Sequence, residues 1–267
     1  MTHWSCMQDW NRRVLGRTGL LAGRLGMAAS YGVPATAVER AFEGGVNYFY
    51  WGSMRKGAFA DALRHLAPRR DKFILVLQSY SRVGGLVGWS MERALRTLHF
   101  DYADVLLLGL WNRAIPKRIF DAALAARERG LIRHVAISTR HRPLVPVLAA
   151  NPDIGVVHLR YNAVHVGAER EIFPHLPADA NRPGIVSFTA TSWRQLLNPK
   201  KTPAGEKTPT ATDCNRFVLT NPAVDVCLSG PANDEQTTAA LRALQLGPMG
   251  PEELAWMRRV GLAIKKH

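Results

Sequence analysis

Short continuous apolar runs alternate with stretches in which apolar residues recur every three or four positions, and this alternation persists along almost the whole chain. Phe73-Ile74-Leu75-Val76-Leu77 and Asp104-Val105-Leu106-Leu107-Leu108 are flanked by charge or turn residues, as strands buried on both faces are. Between them, Trp89, Ala94, Leu95 and Leu98 fall at helical spacing and predict a helix over 89–98, with Ser90 near its start. Pro34, Val38, Ala41 and Phe42 predict an earlier helix that Gly44-Gly45 stops before a strand at 47–50. The same reading places strands at 25–29, 134–138, 155–160, 184–188 and 224–228, and helices at 58–66, 115–129, from about 142, from 168, at 211–220 and at 234–244. Glycine spacing over 12–21 suits a hairpin. The stretch 198–209, with Pro199, Pro203 and Gly205 and no apolar anchors, reads as a mobile surface loop.

Eight strand-helix pairs with right-handed crossovers close most simply into a (β/α)8 TIM barrel, an α/β fold that routinely uses about 250 residues as one domain. An open doubly wound sheet is the alternative, but no Gly-x-Gly-x-x-Gly turn follows an early strand. Residues 1–267 are therefore expected to form one barrel domain with an N-terminal β-hairpin and an extra C-terminal helix over 251–267. Leu254, Met257, Val260, Gly261 and Ile264 share one side of that helix.

A hydrophobic share of 47% is enough for a sizeable core, yet no apolar run approaches the roughly 18 to 20 residues of a membrane span. The first ten residues lack a basic segment followed by an apolar one, so a cytoplasmic protein with no membrane partner is expected. The net charge of +14 raises nucleic acid as a partner. The basic residues are scattered singly or in pairs such as Arg12-Arg13, Arg69-Arg70 and Lys265-Lys266, without a reading motif, so no specific nucleic-acid function is expected. Cys6, Cys214 and Cys227 fit neither a disulfide framework nor a metal motif and read as reduced, buried thiols. His141 and His165 follow strands, but no spacing of His, Asp and Glu proposes a metal site.

The chemistry of a barrel gathers at the C-terminal ends of its strands. The stretch Val46-Asn47-Tyr48-Phe49-Tyr50-Trp51-Gly52-Ser53-Met54-Arg55-Lys56-Gly57 runs from a strand into such a loop. With it, Leu15-Gly16-Arg17-Thr18-Gly19-Leu20, Asp101-Tyr102-Ala103-Asp104-Val105-Leu106-Leu107-Leu108 and Gly130-Leu131-Ile132-Arg133-His134-Val135-Ala136-Ile137-Ser138 occur in an order and spacing that resemble the aldo-keto reductase family over nearly the whole chain. The resemblance implies carbonyl reduction with NAD(P)H by an Asp, Tyr, Lys, His tetrad. None of the four is present. Tyr50 stands at the aspartate, Arg55 at the tyrosine, Gln78 at the lysine and Gly109 at the histidine. Replacing both members of a buried ion pair avoids the cost of an orphaned charge, and Tyr50 and Gln78 are expected to hydrogen-bond in its place.

The cofactor side of the resemblance is better kept. It implies contacts to the nicotinamide amide from Ser138, Thr139 and His158, ring stacking by Phe188, and a pyrophosphate and adenosine end at Thr189 and Gly230. No basic residue stands at Ala232, where the family pairs the 2′-phosphate. Tyr50 is the candidate proton donor, its pKa lowered by Arg55, against the plainer reading that it fills space. Arg55 and Lys56 read equally well as solvated loop charges. His158 and Arg160 share strand parity and point inward, where they serve a ligand or satisfy each other. Three functions follow: an NAD(P)-dependent oxidoreductase with an altered proton relay, a non-catalytic nucleotide- or small-molecule-binding pseudoenzyme, or a structural partner. Arg55 and Arg160 favour an anionic small-molecule ligand in either of the first two.

Overall fold

The computed structural model describes residues 10–52, 56–177 and 181–266. Arg12–Val14 (β1) and Leu21–Gly23 (β2) form the expected antiparallel hairpin. Leu25–Ala28 (β3), Tyr48–Trp51 (β4), Ile74–Ser79 (β5), Ala103–Leu108 (β6), Ile132–Thr139 (β7), Ile154–Arg160 (β8), Gly184–Phe188 (β9) and Val226–Ser229 (β10) follow. Each of these pairs in parallel with the next, and β10 returns to β3, closing a barrel. The helices Ala35–Glu43 (α1), Gly57–His65 (α2), Gly84–Leu98 (α3), Lys117–Glu128 (α4), Leu144–Ala150 (α5), Ala168–Glu171 (α6), Ala211–Thr220 (α7) and Asp234–Leu246 (α8) come one after each barrel strand. This is a (β/α)8 TIM barrel with an N-terminal hairpin, completed by the C-terminal helix Pro251–Lys266 (α9). Among the described residues no helix is long and apolar enough to cross a membrane.

The strands alternate as a two-residue period requires. Ala28, Tyr48, Tyr50, Ile74, Val76, Val105, Leu107, Ala136, Val156, Val186 and Val226 fill the barrel, while Phe49, Leu75, Leu77, Leu106, Leu108 and Val157 belong to the larger core shared with the helices. The hairpin closes the floor. Leu15 and Ala22 join the inner cluster, and a Cβ at Gly184 would lie 2.5 Å from the Leu15 side chain, so the strand must be bare there. On the outside, α9 buries Met257, Val260, Gly261 and Ile264, and a Cβ at Gly261 would stand 2.1 Å from the Ala163 carbonyl.

Two local expectations change. The helix expected from Trp89 begins at Gly84, and Ser90 lies inside it, donating to the Val87 carbonyl at 2.8 Å instead of starting the helix. Gly84 belongs there because a side chain would meet the Arg118 carbonyl at 2.8 Å. The stretch 198–209, expected to lack apolar anchors, buries Pro209, and polar contacts fasten it to α9. Trp256 Nε1 donates to the Lys207 carbonyl at 3.1 Å, and Arg259 Nε pairs with Glu206 at 2.6 Å.

Candidate functional site at the barrel mouth

Residues at the C-terminal strand ends set the mouth. Tyr50 is buried, and its ring folds back over Gly52, where a Cβ would come within 2.2 Å of it. A bulky residue at position 50 therefore requires glycine two positions on. The Tyr50 phenol pKa is pushed up, first by burial and then by the neighbouring Tyr80 phenol. The expected lowering by Arg55 falls on a residue outside the described ones, and the surroundings that are described act in the opposite direction.

No hydrogen bond joins Gln78 to Tyr50 among the described residues. The Gln78 amide lies over Gly109, where a Cβ would stand 1.9 Å from Nε2, so the loss of a side chain at 109 makes room for the one at 78. Its Oε1 is buried and has no hydrogen-bond partner among the described residues. The expected Tyr50–Gln78 bond is thus replaced by a Tyr50–Tyr80 contact and an orphaned amide oxygen.

His158 is buried one layer down. Its Nε2 lies 2.7 Å from the Tyr48 hydroxyl, and the two rings tilt at 42° with centroids 5.9 Å apart. Burial pulls the imidazole pKa down to about 3, so the ring is neutral, and burial pushes the Tyr48 phenol up, with Tyr50 adding to it. The mutual satisfaction expected of His158 and Arg160 is instead a Tyr48–His158 pair. Tyr48 escaped the sequence reading because it passes for a strand aromatic; its shared parity with Tyr50 was the available signal.

Ser138 pairs in register with His158 and is buried at the end of β7. Thr139 has the opposite parity, and its Oγ1 accepts from the His141 backbone at 3.0 Å, bracing the turn. Phe188 ends β9 in register with Arg160 and is half-buried. Thr189 adopts a left-handed φ of 59°, its hydroxyl donating to the Phe188 carbonyl at 2.7 Å and its carbonyl accepting from Asn162 Nδ2 at 2.7 Å. Gly230 lies under the half-exposed Tyr31 ring, 2.6 Å from where a Cβ would be.

Aromatic rings carry cations around this end. Arg82 lies 3.8 Å from the Trp111 ring, Lys56 3.8 Å from Trp51, and Arg140 and Arg160 are 5.6 and 5.8 Å from Trp193. Arg160 was legible by parity; Arg140 and Trp193 were not. The thiols of Cys214 and Cys227 are buried, and burial pushes the latter's pKa up to about 12; Cys6 lies outside the described residues.

No family model matches the chain. The holo form of the aldo-keto reductase AKR11C1 from Bacillus halodurans has a similar structure, with a TM-score of 0.74 at 21% identity over 94% of this chain and 96% of that one. An aldo/keto reductase from Klebsiella pneumoniae in complex with NADP and acetate gives 0.74 at 18% identity over 93% of this chain and 95% of that one. Likeness of backbone over almost the full length, at such low identity, is a statement about architecture: this chain folds as an aldo-keto reductase.

Proposed function

We propose that this chain is an aldo-keto reductase-like oxidoreductase that holds NAD or NADP across the barrel mouth, with an altered proton relay based on Tyr50 and Arg55. The observation that carries this reading is Gln78 Oε1, a buried acceptor at the mouth without a donor among the described residues. Native proteins pair such groups, and an N–H or O–H of a bound molecule would do so here. The Klebsiella pneumoniae neighbour, solved with NADP and acetate, supports a nicotinamide and a small anion as the molecules to test.

The fit is uneven. Ser138 at the end of β7 and Phe188 at the end of β9 flank β8 and suit a carboxamide and its ring, whereas Thr139 has the other parity and its hydroxyl is spent on the turn. His158 is already committed to Tyr48, and at the other end the Tyr31 ring must swing off Gly230. A bound nicotinamide would supply hydride to a carbonyl. Tyr50 would supply the proton: its raised pKa keeps it protonated at neutral pH but makes it a weak acid. Half-exposed Tyr80 links it to solvent. Arg55 would stabilise the phenolate left behind and, always protonated, is no substitute for the acid itself.

The expectation is little or no reduction of ordinary aldehydes and slow hydride transfer to a narrower set of carbonyls that carry an anionic group. Nicotinamide oxidation is followed with a carbonyl panel for the wild type and Tyr50→Phe. Loss of transfer with retained cofactor binding in Tyr50→Phe supports the relay; turnover of simple aldehydes at an ordinary reductase rate rules it out. The absent tetrad favours a second reading, a non-catalytic nucleotide- or small-molecule-binding pseudoenzyme. Cofactor binding with no transfer to any carbonyl would select it. Either protein works in the cytoplasm as a single barrel on small molecules, not on nucleic acid or membranes.

A further inference from the structure

We propose that Arg140, Arg160 and the face of Trp193 form a site for a phosphoryl dianion carried by a small molecule. The inference rests on the barrel mouth being the ligand-binding end of the protein, and it gives the anionic ligand a class and a place.

Arg160 is the last residue of β8 and shares parity with His158, which meets Tyr48 inside the barrel, so the strand directs Arg160 toward the mouth. Arg140 follows the last residue of β7, the strand paired with β8. The two guanidinium carbons lie 5.8 and 5.6 Å from the centroid of one indole, that of Trp193. The turn that holds this indole is costly. Ser192, Trp193 and Arg194 have φ of 49°, 52° and 68°, a left-handed run without glycine, which persists only where its surroundings fix it. Here Ser192 N donates to the Thr189 carbonyl at 2.9 Å, Arg194 N to Thr191 Oγ1 at 3.2 Å, and Gln195 N to the Ser192 carbonyl at 3.1 Å. The turn leaves Trp193 half-exposed, and the Ser192 hydroxyl is fully buried without a partner among the described residues.

Charge completes the picture. Arg142, the third guanidinium of the group, is paired with Glu171 at 2.6 Å. Neither Arg140 nor half-buried Arg160 has a carboxylate in ion-pair range among the described residues, and Arg140 and Arg142 both act on Arg160 as like charges. His165 is neutral near pH 7, its pKa depressed to about 4 by burial and then by Arg160, Lys265 and Arg142. An indole face attracts cations but cannot neutralise two. A phosphate monoester carries close to two negative charges at neutral pH and three strong acceptor oxygens, matching two planar guanidinium forks. A monocarboxylate would leave one guanidinium uncompensated.

The test is calorimetric titration of inorganic phosphate at about pH 8, above its second pKa of about 6, with acetate as the monoanion and ionic strength held by chloride. Wild type, Arg140→Met, Arg160→Met and Arg242→Met on distant α8 are compared; methionine keeps an apolar stem. Expected are saturable phosphate binding, acetate binding weaker by about tenfold or more, and a loss of about tenfold in each mouth variant, the weight of one charge-assisted contact. Arg242→Met should change nothing. Absent saturation, acetate as tight as phosphate, or an affinity untouched in Arg140→Met would overturn the proposal. Arg140 is exposed, so that variant remains informative even if Arg160→Met fails to fold. Nicotinamide titrations run separately: their failure beside intact phosphate binding sinks the cofactor reading alone, and the reverse outcome sinks only this site.

Discussion

The two ends of this barrel differ in how their charges are paired. At the floor, Asp225 is fully buried and holds Arg182 through two bonds of 2.7 and 2.6 Å while accepting from Ile185 N at 2.8 Å. Beside it the buried Arg24 guanidinium donates to the carbonyls of Asp225, Leu219 and Val224. Asp104 pairs with Arg70 at 2.8 Å and accepts from Leu75 N at 2.8 Å. Three buried nitrogens at this end have no partner among the described residues, Arg17 Nε and Arg70 Nε, whose guanidiniums are bonded through their other nitrogens, and Trp10 Nε1 beside Arg24. At the mouth, and among the described residues, Gln78 Oε1 and the Ser192 hydroxyl have no partner and Arg140 and Arg160 have no acid in range. Paired charges at the floor specify the fold, whereas guanidiniums without an acid at the mouth leave charge for a ligand to meet.

The largest expected effect is at the floor. Asp225→Ala leaves part-buried Arg182 beside a vacated carboxylate and removes the acceptor of Ile185 N, and should lower unfolding free energy by about 3 kcal/mol. Urea denaturation measures it; a loss below about 1 kcal/mol would mean that water reaches this end after all.

Between the ends lies the Tyr48–His158 pair, and its expected signature is a pH slope. The folded imidazole pKa, about 3, is below the ordinary 6.5, so between these values the unfolded chain binds a proton that the folded chain refuses. The stabilising contribution is complete above pH 6.5 and declines as pH falls toward 3, by up to about 1.4 kcal/mol per pH unit. His158→Gln should flatten that part of the wild-type profile. Parallel profiles for the two proteins would show that the ring is hydrated in the folded state.

Much of the fold was legible because strands buried on both faces are continuous apolar runs, such as Leu75 to Leu77 and Val105 to Leu108, which little else in a chain imitates. The start of α3 was not, since Gly84, Gly85 and Gly88 read as a loop although close packing on α4 demands a bare backbone at Gly84. At the site, parity singled out His158 and Arg160, and the family resemblance singled out Tyr50. Neither could supply partners, because these depend on which neighbour yields volume: Gln78 lies over Gly109, and Tyr50 over Gly52. The Trp193 turn was hidden for a different reason. Left-handed backbone is read from glycine, and Ser192, Trp193 and Arg194 contain none.

Gln78→Leu tests the mouth against the floor directly. Removing an acceptor that lacks a donor should leave stability within about 1 kcal/mol of wild type, or raise it, because the desolvation cost of the oxygen is relieved. The opposite result, a loss of about 2 kcal/mol or more in urea, would show that the oxygen is bonded in solution.

The smallest expected effect concerns the choice between NADPH and NADH. The turn after β10 has spent its polar groups on itself: Asn233 Oδ1 accepts from Gln236 N at 2.9 Å, and Gln236 Oε1 accepts from Ala232 N at 2.9 Å. Residues 231–236 include no lysine or arginine, while Asp234 and Glu235 occupy the first turn of α8. Arg40 is the adjacent cation, and it is bound to Asp234 at 2.8 Å. A 2′-phosphate placed there would meet carboxylates and a guanidinium already in use, so it gains no charge-assisted bond. NADPH should therefore bind no more than about threefold tighter than NADH, a difference of about 0.6 kcal/mol. Fluorescence titration of both reduced cofactors measures the ratio, and Asp234→Asn, which removes the carboxylate paired with Arg40 but keeps its bond to the backbone carbonyl, should move it toward NADPH. A preference for NADPH of a hundredfold in the wild type would place the 2′-phosphate beside a different cation.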